Sequence, residues 1–407
     1  MTDLSRRSVV DLWLRIPWWG QALLVFAAAR VVTTGMLLVV AAGQPANAWT
    51  GASPGYADFA SIWDGRWYNI VAESGYPTAL PLTPDGHVGE NAWAFMPVYP
   101  VVVRLLMILS GLPWAPAAVV VSVACGFVSA VLIAKLFRLV LAPGTAMFAV
   151  VLYAVSPASP IMQVAYAESM HLMLLAGALV LVMRRRYWLL LPVLAVMSFT
   201  RPSGLAFALF LALHVGYRWW NRRRDPFPRR EVVAASVTAV ASGILGLGWL
   251  LIAWAVTGSL TAYTDTELAW RSSYIGYTHL VPFAPWIQGL DWWAVRGLGL
   301  PTGFWWGFCG VLVLVAGTTA LLLSPQAKRL GIDLRLWVAS YLIYLLAVFF
   351  PQSSTFRLLM PVFPLAGIVA QPRSPVYRVS VVALSLAGQL GWILIAWRVD
   401  GYDWTPP

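Results

Sequence analysis

Charged residues are scarce in this sequence, and their scarcity excludes an ordinary soluble domain. Only 11% of the 407 residues are charged, whereas 60% are hydrophobic and the mean hydropathy is +0.74. Soluble domains carry about a quarter charged and about half apolar residues. We therefore predict an all-α polytopic membrane protein, with residues 1–407 forming a single integral membrane domain.

Cysteine and histidine are also rare, which argues against two further classes. The two cysteines, Cys125 and Cys309, are too few for a disulfide framework and lack metal-ligand spacing. None of the four histidines belongs to a HExxH pair, so nothing indicates a zinc peptidase. No metal site and no cofactor are predicted, and the sequence leaves a divalent-metal requirement open.

Acidic residues are fewer than basic ones, giving a net charge of +11. In a membrane protein the positions of Lys and Arg indicate orientation, so nucleic acid is not a predicted partner. If the basic clusters all face the cytoplasm, an even number of crossings must separate consecutive clusters. Those clusters are residues 6–15, 135–138, 184–186, 218–230, 328–335 and 373–378.

This parity rule decides the status of residues 94–113, which resemble a span but contain Pro97, Pro100 and Arg104. Counting them as a crossing would place the second basic cluster outside, so a re-entrant or interfacial helix is predicted instead. Eleven crossings remain, with the N-terminus in the cytoplasm. They are 21–42, 115–137, 145–158, 165–183, 187–201, 203–220, 232–256, 303–323, 336–350, 358–371 and 377–397.

This topology places most acids at or beyond the outer face. Two long extracytoplasmic segments result, residues 43–113 and 257–302, and both are rich in Trp and Tyr, which favour the lipid headgroup level. We predict a multi-pass protein of the plasma membrane whose active site, within residues 43–113, faces the extracytoplasmic side.

The stretch IWDGRWYNIVAESGY in the first segment places an acid among aromatic residues. Helical spacing aligns Trp63 with Trp67 and puts Asp64 and Tyr68 on the adjacent face. Asp64 before Gly65 is either a turn or helix cap, a common use of Asp, or a chemically active carboxylate.

Other candidate binding residues are polar groups close to the predicted outer face. A charge near hydrocarbon requires a partner or a water-filled site, so Glu168 and Arg201 either form a structural ion pair or leave Arg201 to hold a lipid phosphate. Glu267 is interpreted as a solvated loop charge, and Arg30 within the first span requires an acid or carbonyl partner. The remaining candidates are Arg66, Glu73, Tyr76, His171, Arg271 and Arg357.

Five short motifs together resemble the PIG-V family of membrane mannosyltransferases. They are WDG with a later GY, AFMPVYP, YAES, TRPSG and STFRLLMPVFPL, and they extend from Trp63 to Leu365. The resemblance implies a GT-C-like bundle that transfers mannose from polyprenyl-phosphate mannose on the extracytoplasmic side. Met96 and Ser203 differ from residues common in that family. With only 2 lysines, the composition is typical of a GC-rich bacterial genome, so a glycolipid, lipoglycan or protein replaces GPI as acceptor.

The chemistry of such a transfer suggests roles for the candidate residues. Asp64 is the expected general base, a role that the resemblance also implies. Arg201, assisted by Arg271 or Arg357, is assigned by hypothesis to stabilise the departing lipid phosphate. Attack opposite the leaving group would invert the anomeric centre. Two other classes stay open: a transporter or flippase for a lipid-linked sugar, and an assembly subunit in which the loop acids are replaceable.

Overall fold

A computed structural model describes residues 11–400, apart from the side chain of Phe304. In this range the chain is helical, and the only β-type pairing is an isolated bridge between Leu82 and Val88. Three short 3-10 segments occur at Ala92–Ala94, Ser159–Gln163 and Met360–Leu365. From Trp18 onward the helices are α1 Trp18–Ala42, α2 Tyr56–Ala60, α3 Asp64–Ser74, α4 Val98–Ser110, α5 Trp114–Arg138, α6 Pro143–Ala154, α7 Glu168–Met183, α8 Tyr187–Ser198, α9 Gly204–Trp220, α10 Arg229–Thr257, α11 Ala262–Ala269, α12 Ser272–Ile275, α13 Ala284–Leu298, α14 Phe304–Leu323, α15 Pro325–Lys328, α16 Gly331–Val348, α17 Thr355–Leu358, α18 Ala366–Val369 and α19 Pro375–Ala396.

Six of these helices are long and apolar enough to cross a membrane: α1, α5, α10, α14, α16 and α19. The chain is therefore an integral membrane protein with transmembrane helices. The other five predicted crossings correspond to helical segments of 17 residues or fewer, so the eleven-crossing arrangement stays a prediction. The 13-residue helix α4 is about 20 Å long, shorter than a hydrocarbon core of about 30 Å, and its assignment as re-entrant or interfacial also stays a prediction.

The core of the bundle surrounds α7, which is buried along most of its length. The α1 residue Arg30 is buried beside this core. Its guanidinium donates to the backbone carbonyls of Ala154 and Ser159, each at 2.6 Å. The sequence left open whether the partner of Arg30 is an acid or a carbonyl group, and in the structure its partners are carbonyl groups.

Helices α9 and α10 approach each other through glycines. A Cβ atom added at Gly246 would lie 2.6 Å from the Leu205 backbone nitrogen and 2.9 Å from the Gly204 carbonyl carbon. The Ser242 hydroxyl on α10 also donates to the Gly204 carbonyl at 2.8 Å. Close approach at small residues is a common way for helices to associate in membranes, and it explains the last residue of TRPSG.

We expect Gly246→Ala to destabilise the folded chain by about 1–3 kcal/mol, because the atoms that its methyl group meets are backbone atoms. Gly216→Ala on α9 is the matched control, since a Cβ atom there would meet nothing within 4 Å. Thermal unfolding in detergent measures both variants. Equal melting temperatures for the two would contradict the role assigned to this crossing.

Helix α2, which precedes α3, is attached to the segment that precedes α7. Ala165 N–H donates to the Ala60 carbonyl at 2.9 Å, and the Tyr56 hydroxyl donates to the Gln163 carbonyl at 2.8 Å. The indole of Trp397, just after α19, donates to the Phe59 carbonyl at 2.8 Å. Residues distant in sequence therefore fix the position at which α3 begins.

Candidate functional site

Four charged side chains from four separate parts of the chain meet at one place. Arg357 Nη1 lies 2.7 Å from Asp64 Oδ2 and 2.8 Å from Glu168 Oε1. Arg201 Nη2 donates to the same Glu168 oxygen. We call these four residues, Asp64, Glu168, Arg201 and Arg357, the charge cluster. Each side chain is at least 85% buried, so their formal charges, two positive and two negative, balance locally.

Asp64 reaches the charge cluster because the chain is tightly constrained at the start of α3. The backbone N–H of Asp64 donates to the Tyr166 hydroxyl at 3.2 Å. A Cβ atom at Gly65 would lie 3.2 Å from the Ala165 Cβ atom and 3.3 Å from the Ala165 carbonyl oxygen, so the glycine of WDG permits this approach. Trp63 has φ of +58°, an unfavourable conformation for a residue with a side chain, and strain of this kind is common at functional sites.

The Asp64 carboxylate does not cap its helix. The residue at the N-cap position of α3 is Trp63, and no side-chain capping bond is made there. Asp64 instead occupies the first helical position, where the helix dipole favours an anion, and directs its carboxylate to Arg357. The structure thus differs from the capping alternative.

Glu168 holds the two arginines together. It is the first residue of α7, so this carboxylate also lies at the positive end of a helix dipole. Arg201 follows the end of α8, and Arg357 lies in the short helix α17. The Arg357 guanidinium also stands 5.4 Å from the centroid of the Tyr166 ring. YAES therefore supplies a charge partner and an aromatic partner for Arg357.

Several polar atoms in and beside the charge cluster have no hydrogen-bond partner among the described residues. They are the hydroxyl of Tyr68, Oε2 of Glu168 and Nε of Arg357, and all three are buried. Burying a polar group without a partner costs about 1–3 kcal/mol. Burial raises the pKa of Tyr68, which keeps its hydroxyl protonated and able to donate. A polar ligand could form hydrogen bonds with these unpaired atoms, so their position beside the charge cluster favours a ligand-binding role.

Glu267 on α11 extends this site, although its sequence context suggested a solvated loop charge. The residue is solvent-accessible, but the surrounding protein removes enough hydration to raise the pKa of its carboxyl to about 7. The Tyr263 hydroxyl and the positive charge of Arg201 oppose this rise, whereas the negative charge of Asp64 adds to it. Glu267 therefore lies close enough to the charge cluster for the charges of Arg201 and Asp64 to change its proton affinity.

We expect this carboxyl to make the stability of the chain depend on pH. Because the folded chain binds the proton more tightly than the unfolded chain, the stabilisation is complete below about pH 4.5 and disappears as pH rises through about 7. Melting temperatures measured from pH 5 to 8 should fall less steeply in Glu267→Gln than in wild type. An unchanged slope would show that the Glu267 carboxyl does not titrate near neutral pH in the folded chain.

Helix α11 is fixed against the first long segment, residues 43–113. The Asn91 amide donates to the Thr266 hydroxyl at 2.8 Å. The ring of Trp270 lies 5.6 Å from that of Trp67 and 5.9 Å from that of Phe95. The two outer segments that the sequence identified separately therefore pack together at the site.

The aromatic candidates in the first segment serve mainly in packing. Trp63 is buried and donates from its indole to the Ala396 carbonyl at 2.8 Å. Trp67 stacks on Phe95, and the Tyr76 hydroxyl donates to the Phe95 carbonyl at 2.7 Å. These contacts give each of the three rings a structural partner within the protein.

The remaining candidates lie outside the charge cluster. Arg66 and Glu73 are exposed on α3, and Arg66 stands over the ring of Trp49. His171 is buried one turn along α7 from Glu168. Arg271 is buried, and its guanidinium donates to the Thr278 hydroxyl and the His279 carbonyl, each at 3.3 Å. Arg271 thus stabilises the conformation of the second segment. Of the two arginines predicted to assist Arg201, only Arg357 lies beside it in the charge cluster.

Comparison with protein-family models and with curated proteins found no match to this chain. The functional interpretation therefore depends on the motifs and on the geometry of the charge cluster.

Proposed function

We propose that this chain is an inverting glycosyltransferase that moves mannose from polyprenyl-phosphate mannose to a hydroxyl group of a glycolipid, lipoglycan or protein. The observation that carries the proposal is the meeting of Asp64 with Arg201 and Arg357 around Glu168. In such an arrangement the carboxylate can remove a proton from an acceptor hydroxyl group. The two guanidinium groups can bind the phosphate that leaves the donor.

In this proposal Asp64 acts as the general base. The acceptor hydroxyl oxygen attacks the anomeric carbon while its proton passes to the Asp64 carboxylate. The bond from that carbon to the phosphate oxygen breaks, and the electron pair leaves with the phosphate. Attack from the opposite side inverts the centre, so a β-linked donor gives an α-linked mannose. Asp64 Oδ1 makes none of the hydrogen bonds found among the described residues, which favours its use for this proton.

Arg201 and Arg357 stabilise the leaving phosphate in this scheme. Arginine presents a planar fork of N–H donors that matches phosphate oxygens, and buried Nε of Arg357 has no partner among the described residues. Glu168 acts as a positioning residue, because one carboxylate oxygen binds both guanidinium groups and offsets their mutual repulsion. The Tyr68 hydroxyl is available as a further donor to the phosphate or the sugar.

The proposed topology is consistent with this assignment. The eleven-crossing arrangement puts all four residues of the charge cluster at the extracytoplasmic side of the plasma membrane, although the topology follows from the basic clusters alone. The charge cluster lies near one predicted face and away from the bilayer midplane, where a transporter holds its substrate, and this position favours a one-sided enzyme. Helix α4, with its exposed apolar residues Val101, Leu105 and Leu109, is a suitable wall for the polyprenyl chain.

The direct test is transfer of radiolabelled mannose from polyprenyl-phosphate mannose to membrane acceptors by the purified chain in liposomes. We expect label in the lipid or protein fraction only when the chain is present. Polyprenyl-phosphate glucose and polyprenyl-phosphate arabinose serve as competing donors, because only the family resemblance identifies the transferred sugar as mannose. No transfer from any of the three donors would overturn the proposal and favour the transporter alternative, which liposome uptake assays can measure.

A further inference from the structure

A groove opens on the outer surface of the first segment, close to the charge cluster but separate from it. Its volume is about 390 Å³, within the range of about 300–1,000 Å³ that is usual for small-molecule sites. It is lined by Trp49, Thr50, Gly51, Pro54, Asp58 and Ser61. Nothing in the proposed transfer mechanism uses these residues.

We propose that this groove binds the glycan part of the acceptor, an inference that rests on the proposed transferase function. The lining combines an indole with two hydroxyl groups and a carboxylate. Hydroxyl and carboxylate oxygens match the many hydroxyl groups of a carbohydrate, and an indole offers an apolar surface to its C–H faces. A polyprenyl chain would leave these polar groups unpaired, and a phosphate would be repelled by Asp58.

The carboxylate of Asp58 supports a ligand role. Asp58 lies in α2 and is exposed, and its side chain forms no hydrogen bond or ion pair within the described residues. The Ser61 hydroxyl donates to the backbone carbonyl of Asp58 at 3.1 Å, which leaves the carboxylate available. The groove therefore contains a hydrogen-bond acceptor that the fold itself does not use.

The groove is connected to Asp64 by a short and constrained piece of chain. Asp64 follows Ser61 by three positions, so their Cα atoms lie at most about 11 Å apart. The ring of Trp49 packs against that of Trp63 with centroids 4.9 Å apart, and Trp63 carries the strained φ directly before Asp64. An acceptor held in the groove would thus present a terminal sugar toward the proposed base.

Binding of short saccharides to the full chain in lipid nanodiscs tests the inference without requiring transfer. The saccharide probes are methyl α-mannoside, α-linked mannobiose, maltose and cellobiose. Inorganic phosphate is the non-carbohydrate probe, and isothermal titration calorimetry measures the binding of each probe. We expect at least one saccharide to bind wild type, and Asp58→Asn and Trp49→Ala to weaken that binding at least tenfold. Trp220→Ala, an exposed tryptophan on α9, is the matched control and should bind like wild type.

The outcomes separate this inference from the proposed function. Asp58→Asn changes one exposed side chain, so its result stands even if Trp49→Ala fails to fold. In transfer assays, Asp58→Asn should raise the acceptor KM and leave the donor KM unchanged. Transfer with unchanged acceptor KM in both groove variants would overturn the groove proposal alone. Saccharide binding that depends on Asp58 in a chain without transferase activity would overturn the transferase proposal alone, and no binding to any saccharide would reject the groove.

Discussion

Asp64→Asn is expected to reduce sugar transfer by about 100- to 10,000-fold, the range typical for loss of a general base. The amide has nearly the same shape as the carboxylate but cannot accept the proton from the acceptor hydroxyl. It also removes one of the two negative partners of Arg357, the carboxylate that lies 2.7 Å away in the wild type. The loss should appear in kcat, because an acceptor bound elsewhere keeps most of its contacts.

The matched control for Asp64→Asn is Glu73→Gln. It makes the same chemical change on the same helix, but Glu73 is exposed near the end of α3 and belongs to no ion pair among the described residues. Glu73→Gln should retain the wild-type rate, and both variants should elute as folded, membrane-inserted protein. Wild-type transfer by a folded Asp64→Asn variant would eliminate Asp64 as the base.

Much of this site could be predicted because its residues lie in recognisable local patterns. Asp64, Glu168, Arg201 and Arg357 are all ionisable groups that interrupt apolar or aromatic sequence near predicted outer ends of helices. The cost of burying a charge makes such groups conspicuous in a membrane protein. The Glu168–Arg201 ion pair is one of the two alternatives that the sequence allows, and it forms.

Other features depend on contacts that sequence patterns do not encode. Glu267 lies in a loop rich in polar residues, and only the packing of α11 against the first segment brings it near the charge cluster. The indole contacts of Trp63 and Trp397 join parts of the chain more than 300 residues apart. Helical spacing predicted a helix in the stretch that contains WDG, and the structure has one at Asp64–Ser74. The same spacing could not distinguish tryptophans that face a ligand from tryptophans that face the protein.

The charge balance of the site has a consequence for ligand binding. Two arginines and two acids sum to zero, so an incoming phosphate adds a negative charge to a neutral cluster. A carboxyl of Glu267 with a pKa of about 7 is partly protonated at neutral pH, which reduces its repulsion of that charge. Binding of an anionic donor should therefore favour the protonated form of Glu267, and Glu267→Gln would imitate that form.

The second large effect is expected for Arg357→Met, which should lower the free energy of unfolding by about 3–5 kcal/mol. Arg357 contacts both Asp64 and Glu168, and its removal leaves two neighbouring carboxylates with only Arg201 to offset them. Breaking a buried ion pair by removing one partner is costly because the remaining charge stays buried. Transfer should be lost as well, since the leaving phosphate loses a donor.

The double variant Arg357→Met/Glu168→Gln separates these two effects. It removes one positive and one negative charge, so Asp64 and Arg201 still balance, and chemical unfolding should show that most of the lost stability returns. Transfer should not return, because the guanidinium proposed to receive the phosphate is still absent. Arg357→Lys keeps the charge but not the planar fork, so it should be stable and yet transfer slowly. Recovery of transfer in the double variant would show that Arg357 is only a structural counter-ion. If Arg357→Met alone were as stable as wild type, the charge cluster would contribute nothing to folding.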